Sequence, residues 1–103
     1  MTVREHEEQL VARHPALRVR TFELGSSSWL ELSARIGPVE QFDRYKVLCH
    51  NFDLQIGQIV AIDGAYQMRQ VLPASHPPEI VDSVAGKVVE AADEFRKFFE
   101  VKR

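Results

Sequence analysis

The chain has 103 residues, of which 45% are hydrophobic and 27% charged, values that predict one globular domain rather than a disordered segment. Its formal net charge of −2 disfavours nucleic acid as the main partner, because phosphate binding requires a concentrated basic face and only Arg13, Arg18 and Arg20 suggest a small one. The single cysteine excludes an internal disulfide framework, and the absence of a signal-peptide pattern or a long apolar run favours a soluble cytoplasmic protein.

A helix from about Val3 to His14 is the first predicted element, and Pro15 ends it. Its apolar residues form only a narrow stripe, so we expect it to dock on the surface of the domain. His6 and His14 lie eight positions apart on this helix, too far apart to share a metal ion. Both histidines are therefore predicted to be solvated.

Two strands follow, joined by a turn at Gly25–Ser28. In the first, Leu17–Leu24, the apolar residues change sides midway, which indicates a bulge or a position at the edge of the sheet. The second, Trp29–Ile36, alternates regularly and directs four apolar residues inward: Leu30, Leu32, Ala34 and Ile36. Trp29 then points away from the core, where it either packs on the neighbouring loop or on Arg35, or anchors a partner at an interface.

The segment from Pro38 to about Asn51 is predicted to be a helix. Proline suits a first helical position, and apolar residues recur at helical spacing: Val39, Phe42, Tyr45, Cys49 and Phe52. Cys49 would lie on this apolar stripe, where a small buried thiol is the common case. Residues 45–50 also fit a strand, and both interpretations stay open at this point.

The stretch Gly57–Pro73 is the most strongly determined part of the chain. Asp63-Gly64 lies between two β-prone runs and favours a two-residue type I′ turn, in which both central residues have positive φ. That turn sets the register of the pairs beside it: Ile62 with Ala65, Ala61 with Tyr66, and Ile59 with Met68. One face of the hairpin is apolar and should meet the core: Ile59, Ala61, Tyr66 and Met68. The other face is too apolar to be fully wet, because it carries Val60, Ile62 and Ala65.

A long amphipathic helix follows, capped by Ser75 or His76. Its apolar residues recur at alternating threes and fours and form a broad stripe: Val81, Val84, Val88, Ala91, Phe95 and Phe98. Gly86 inside this helix costs about 1 kcal/mol relative to alanine, so we expect another backbone to approach it closely. The elements together predict an α+β fold in the order helix-β-β-helix-β-β-helix, with an antiparallel sheet packed by the C-terminal helix.

Few residues suggest chemistry. Cys49 and His50 are neighbours on the predicted helix and point about 100° apart, which disfavours a pair of nucleophile and base. His50 and Asp53 lie at i and i+3, either as an orienting pair in a ligand site or as surface residues at a helix C-terminus. The aspartates lack the spacing of a metal-binding loop, and no phosphate-binding or dinucleotide motif is present. We therefore predict no metal, no cofactor and no catalytic residue.

The segment FDLQIGQIVAIDGAYQMRQVLP, followed by a helix that contains VVEAADEFRKFF, resembles the type III secretion chaperone-like fold, which includes the YbjN-type small bacterial proteins. In that group a glycine-started strand and a tight hairpin end in Leu-Pro, and a long amphipathic helix closes the domain. The resemblance covers the C-terminal half of the chain and implies a dimer. Because the secretion members bind an unfolded stretch of an effector without catalysis, it also implies a chaperone-like role.

We therefore expect a non-catalytic protein-binding module that forms a homodimer, with a remaining strand edge that accepts an extended segment of a partner. The residues expected at the dimer contact or the partner surface are apolar or allow close packing: Trp29, Val60, Ile62, Ala65 and Gly86. Two alternatives stay open. One is an immunity-type inhibitor that blocks a single partner, and the other is a small enzyme or ligand-binding protein that uses His50 and Asp53.

Overall fold

The computed structural model of the protein describes residues 3–54 and 57–99. Within those ranges lie three α-helices and four strands: α1 Val3–Arg13, β1 Leu17–Leu24, β2 Ser27–Pro38, α2 Arg44–Asp53, β3 Gln58–Ile62, β4 Ala65–Pro73 and α3 Pro78–Phe99. One 3-10 turn, Val39–Gln41, follows β2. The predicted α+β class and the order helix-β-β-helix-β-β-helix are confirmed.

The four strands form one antiparallel sheet in the order β1-β2-β4-β3. The two hairpins therefore lie side by side, and β1 and β3 are the edge strands. Helix α3 packs across β2 and β4, while α1 packs against β1 and α3 on the same side of the sheet. In the part of the chain that the structure describes, no helix covers the opposite side, which we call the open face.

The open face is made of the residues that alternate with the buried ones along each strand. From β1 and β2 it carries Arg18, Arg20, Phe22, Leu24, Trp29, Glu31, Ser33 and Arg35. From β4 and β3 it carries Gln67, Arg69, Val71, Gln58, Val60 and Ile62. These residues include most of the charged groups of the sheet.

The second hairpin has the predicted turn and register. Asp63 has a φ of 51° and Gly64 a φ of 77°, as a type I′ turn requires. Ile62 pairs with Ala65, and the predicted partners of the next residues follow. The first hairpin is tighter than expected, because only Gly25 and Ser26 lie between its strands and Gly25 has a φ of 65°. The predicted turn at Gly25–Ser28 was therefore two residues too long, and β2 already begins at Ser27.

The core lies between the sheet and the helices. Helix α3 contributes most of its predicted stripe, and β2 contributes the predicted inward residues. The prediction was wrong for Phe98, which is 77% exposed because it lies beyond the part of α3 that packs on the sheet. The most deeply buried side chains come from α1, β2, β4 and α3: Leu10, Leu32, Met68, Val81, Val88 and Phe95. Burying a side chain of this size is worth about 1.5–3 kcal/mol, so this layer is the main source of stability.

The predicted helix from Pro38 to Asn51 was wrong in its first part. Gly37, after a register shift in β2, and Pro38 still pair with β4, so the strand continues where the sequence suggested a helix start. Helix α2 begins only at Arg44, where the side chain of Asp43 accepts hydrogen bonds from the N–H groups of the first turn. Its start is therefore set by a capping aspartate and not by proline.

This shift changes which residues of α2 are buried. Phe42 is buried but precedes the helix, and among the side chains of α2 that the structure describes Val47 enters the core. The predicted position of Phe52 lies outside the described side chains. Tyr45 and Leu48 are exposed, and so is Cys49, which was predicted to be buried. That prediction was wrong because the apolar spacing was read from Val39, five residues before α2 begins.

Two smaller predictions were also wrong. Ala61 was expected to meet the core but is exposed, because it lies on the edge strand β3 while α3 covers β2 and β4. His14 was expected to be solvated but is half-buried, and its Nε2 lies 3.2 Å from Asp82 Oδ1. His6 is likewise half-buried, with its Nε2 shielded from solvent. Helix α1 is thus held to α3 more closely than its thin apolar stripe suggested.

Candidate functional site

Strand β1 directs half of its backbone hydrogen-bonding groups away from the sheet. The pair Leu24 and Ser27 flanks a two-residue turn, and such a pair exchanges hydrogen bonds across the two strands. Along a strand, the backbone N–H and C=O groups of successive residues point alternately to the two sides. The even-numbered residues of β1, like Leu24, therefore form their backbone hydrogen bonds with β2. Val19, Thr21 and Glu23 therefore point their N–H and C=O groups outward, and we call these groups the free β1 edge.

The start of β1 supports this assignment. The N–H of Leu17, another odd-numbered residue, donates to the carbonyl of His14 at 2.9 Å rather than to β2. Along the rest of the strand, no described residue provides a hydrogen-bond partner for the outward backbone groups of Val19, Thr21 or Glu23. Thr21 is tied to α1 by its side chain only, since its hydroxyl donates to the carboxylate of Glu7. The free β1 edge is therefore available for a further strand.

The opposite edge of the sheet, along β3, is closed by a side chain. The N–H of Ile59 donates to Asn51 Oδ1 at 2.8 Å, and Asn51 Nδ2 approaches the carbonyl of Ile59 at 3.4 Å. The amide of Asn51 thus pairs with both outward groups of Ile59, as a neighbouring strand would. Ala61 is then the one residue of β3 whose outward N–H and C=O groups have no hydrogen-bond partner among the described residues.

Strand β4 extends beyond β3 and presents a second stretch of edge, which is closed differently. Gln70 Nε2 donates to the carbonyl of Val71 at 3.0 Å. Pro73 has no N–H to offer, and its carbonyl accepts from the N–H of His76 at 3.2 Å. Proline and self-pairing side chains are common means of blocking an edge strand. Within the described residues, β1 therefore has the longest run of unpaired edge.

The centre of the open face is a cluster of arginines around one glutamate. Glu31 Oε2 lies 3.0 Å from Arg20 Nη2 and 3.6 Å from Arg69 Nη1, and its side chain is only 14% exposed. Arg18 and Arg69 flank Ser33 on either side, and Arg35 lies two residues further along the same face. Among the described residues, no carboxylate lies within 4.0 Å of Arg18 or Arg35. Two of the four guanidinium groups are thus held in place and two are unpaired.

A shallow depression of about 380 Å³ lies over this centre. Ser33, which is 7% exposed, contributes to its lining because its short side chain leaves space between the longer arginines. Arg18, Arg20 and Glu31 also line the depression. The arrangement is suited to an anionic group, because guanidinium groups bind carboxylates through paired hydrogen bonds.

The end of the open face beside the first turn is apolar. Phe22, Trp29 and Pro73 pair across three strands in one row, and Leu24 lies exposed beside them. Trp29 is half-buried in this row, and its indole Nε1 is shielded from solvent without a hydrogen-bond partner among the described residues. Its neighbours across the sheet are Phe22 and Pro73. Packing of Trp29 on the loop or on Arg35, and its role as an anchor for a partner, stay predictions.

The other residues predicted for a contact surface are not brought together. Val60 is half-buried and Ile62 is 41% exposed on the edge strand β3, where Ile62 also lines the depression over the arginine cluster. Ala65 is buried, since it pairs with Pro38 beside the 3-10 turn. Gly86 lies on the opposite side of the protein, where an added Cβ would meet His14 Cε1 at 3.5 Å. Its neighbour is thus the side chain of His14, the residue after α1, rather than the backbone that we expected.

The candidate ligand residues lie near the end of α2. His50 is half-buried, and its ring lies 5.4 Å from that of Phe95 in α3. The side chain of Asp53 lies outside the described residues, so the predicted pairing stays a prediction. In the described part of the chain, no three His, Cys, Asp or Glu side chains are grouped to hold a metal ion.

Sequence reasoning missed the parts of the site that depend on register and packing. Arg18 and Arg20 were noticed, but Arg35 and Arg69 join them only when β2 lies between β1 and β4. The third residue of the expected basic spot, Arg13, lies elsewhere and pairs with Asp82. The role of Asn51 left no signal in the sequence, because it depends on the position of α2 relative to β3.

Among the helices that the structure describes, each is either too short or too polar to cross a membrane. No protein-family model matches the chain, and comparison with curated proteins finds no match.

Proposed function

We propose that the protein is a non-catalytic, chaperone-like binding module that takes up an extended segment of a partner protein at the free β1 edge. The observation that carries this proposal is the difference between the edges. Asn51 closes β3, and Gln70 and Pro73 close β4, while the outward groups of β1 are left unpaired. The edges along β3 and β4 are blocked and the edge along β1 is not. This difference favours the addition of a strand at β1.

The geometry of β1 suits an added strand. An extended segment would form hydrogen bonds with Val19, Thr21 and Glu23 and continue the sheet by one strand. Its alternate side chains would lie beside Arg20 and Phe22 on the open face. Main-chain hydrogen bonds then supply affinity, and the open face supplies selectivity.

The proposal includes a relation to the type III secretion chaperone-like proteins and a cytoplasmic location. Its support is the sequence pattern of the second hairpin and α3, together with an element order that fits that fold. Members of that group bind unfolded protein segments, which agrees with a free strand edge. No catalytic residue is part of the proposal.

We further propose a homodimer formed through the β3 side of the open face, around Val60 and Ile62. The 41% exposure of Ile62, which lies on the strand at the opposite edge of the sheet from β1, supports this choice. A contact there would leave the free β1 edge of each protomer accessible. Light scattering should give twice the monomer mass for the wild type and the monomer mass for Val60→Lys/Ile62→Lys. A wild type that stays monomeric at high micromolar concentration would refute the dimer.

A displayed library of random segments tests the binding function directly. Segments are selected on the wild type and then measured on Thr21→Pro, which removes the N–H at the centre of the free β1 edge without removing a bond to β2. Thr21→Val is the matched control, because it keeps the N–H and loses the hydroxyl that bonds to Glu7. We expect selected segments to lose at least tenfold in affinity for Thr21→Pro and little for Thr21→Val.

Circular dichroism on both variants establishes that they are folded before binding is compared. The proposal fails if the wild type enriches no segments, or if folded Thr21→Pro binds the selected segments as tightly as the wild type does.

A further inference from the structure

The charge of this protein is unevenly distributed over its surface. The whole chain carries −2, yet the strand residues of the open face comprise four arginines and one glutamate, a net charge of +3. The four arginines come from three adjacent strands and surround the buried Ser33. Four like charges on one face create a positive potential that attracts anions.

Glu31 compensates for part of this charge. Its Oε2 contacts both Arg20 and Arg69, and these contacts fix the two guanidinium groups on the surface of the sheet. Arg18 and Arg35 have no carboxylate within 4.0 Å in the described ranges 3–54 and 57–99. The depression beside Arg18 is about 380 Å³ in volume, which is room enough for a carboxylate group to approach.

We propose that the arginines around Ser33 form a binding site for carboxylate side chains of the partner, so that the segment taken up at the free β1 edge is acidic. This inference rests on the proposed function and adds the chemistry of the partner. One carboxylate would bind the unpaired Arg18 directly and a second would lie beside Arg20, the two arginines of β1 on the open face, while Arg35 and Arg69 would strengthen the local positive potential.

The order of residues along β1 defines the pattern of the segment further. On the open face, β1 presents Arg18, Arg20, Phe22 and Leu24 in succession. A segment that pairs antiparallel to β1 meets these side chains in the reverse order. Its alternate residues would therefore be apolar, apolar, acidic and acidic from the N-terminus to the C-terminus, since cross-strand neighbours of opposite charge or matching apolarity stabilise a pair of strands.

Nucleic acid is the other polyanion that a basic face attracts, and the structure favours protein over it. The neighbouring row of Phe22, Trp29 and Pro73 starts on β1 and offers an apolar surface for side chains of a protein segment. The net charge of the whole chain is negative, which opposes the long-range attraction on which nucleic-acid binding depends.

Fluorescence anisotropy with a labelled synthetic peptide tests the inference. The probe is Ser-Leu-Thr-Val-Thr-Glu-Thr-Glu-Ser, compared with the same peptide in which glutamine or lysine replaces both glutamates. The variant Arg18→Gln/Arg35→Gln removes the two unpaired guanidinium groups. The matched control, Arg44→Gln/Lys46→Gln, makes the same change of charge on exposed residues of α2.

We expect the wild type to bind the glutamate peptide about tenfold more tightly than the glutamine peptide, and the lysine peptide more weakly still. Arg18→Gln/Arg35→Gln should lose that tenfold preference without a lower melting temperature, because it relieves repulsion between like charges. The control should keep the preference. A merely structural role for the two arginines would instead lower the melting temperature.

Three results overturn the inference: no measurable binding of the glutamate peptide, an equal loss in the α2 control, or tighter binding of a labelled oligothymidylate than of the peptide. The last result would identify nucleic acid as the partner. Failure here is distinguishable from failure of the proposed function. One outcome separates the two: the displayed segments lose affinity for Thr21→Pro but bind Arg18→Gln/Arg35→Gln as tightly as the wild type. That outcome would support strand addition at β1 and refute an acidic partner.

Discussion

The side-chain amide of Asn51 pairs with both backbone groups of Ile59, accepting from its N–H at 2.8 Å and approaching its carbonyl at 3.4 Å. A residue of α2 thereby takes the place of a neighbouring strand along β3. Edge strands with unpaired groups promote association between chains, and natural proteins block them by such means. The contrast with β1, where no described residue fills this role, is the basis of the functional account.

Replacing Asn51 should therefore destabilise the protein and open its second edge. Asn51→Ala leaves the partly buried N–H of Ile59 without its acceptor, at a cost of about 1–2 kcal/mol in the free energy of unfolding. Asn51→Asp is the comparison variant, because it keeps an acceptor for the shorter bond while it loses the donor and adds a negative charge. Urea denaturation measures both, and light scattering should show more association for Asn51→Ala. Unchanged stability of Asn51→Ala would contradict the closing role.

The turn at Gly64 provides a test of the second hairpin. Gly64→Val should lower the free energy of unfolding by about 1 kcal/mol or more, because a β-branched side chain is strained at a φ of 77°. No heavy atom lies within 4 Å of a Cβ built at this position, so crowding does not contribute. Gly64→Asn should cost less, since asparagine tolerates this region. Equal stability of Gly64→Val and the wild type in thermal denaturation would argue against the type I′ turn.

Cys49 should be reactive toward thiol reagents in the folded protein. It is exposed on α2, so the protection that burial gives is missing. We expect complete labelling of the native protein by a chromogenic disulfide reagent, at a rate within a few-fold of that in urea. Cys49→Ser should keep the melting temperature and show no labelling. Slow labelling of the native thiol would instead indicate that Cys49 is buried, as the apolar spacing of the sequence predicted.

The attachment of α1 should weaken in acid. Partial removal from water disfavours the charged form of Asp82, but hydrogen bonds from His14 and Arg13 outweigh this and lower the pKa of its carboxyl group. A lowered pKa in the folded state contributes stability that is present above the unfolded pKa of about 3.9 and is lost as the pH falls through the folded value.

The difference in stability between the wild type and Asp82→Asn should follow that dependence. We expect the variant to be less stable by about 0.5–1 kcal/mol at pH 7, as for other partly exposed ion pairs. The difference should shrink below pH 4 and vanish once Asp82 is protonated in both states. Urea denaturation at a series of pH values measures it. A difference that stays constant down to pH 2 would exclude the ion pairs as its cause.

The sequence was most informative where local chemistry decides the structure. Asp63-Gly64 determines its turn without help from the rest of the fold, and the spacing from Val81 to Phe95 identifies the buried side of α3. Prediction failed around Pro38, because proline fits the end of a strand as well as the start of a helix. The difference there is made by pairing with β4, a contact between segments far apart in sequence.

The candidate site depends almost entirely on such distant contacts. Arg18, Ser33 and Arg69 become neighbours only through the register of three strands. Even the free β1 edge required knowledge of which strand of the first hairpin pairs with the second hairpin. A strand with apolar residues on both sides suggested an edge position, and that part of the prediction is confirmed for β1.

Residue-resolved hydrogen exchange of the β1 amides tests the central claim most directly. In the free protein the N–H groups of Val19, Thr21 and Glu23 should exchange quickly, while those of Arg20 and Phe22, which bond to β2, should exchange slowly. Adding a saturating segment selected from the displayed library should protect the first set and leave the second unchanged. The account is contradicted if Thr21 is already protected in the free protein at low concentration, or if a bound segment leaves its exchange rate unaltered.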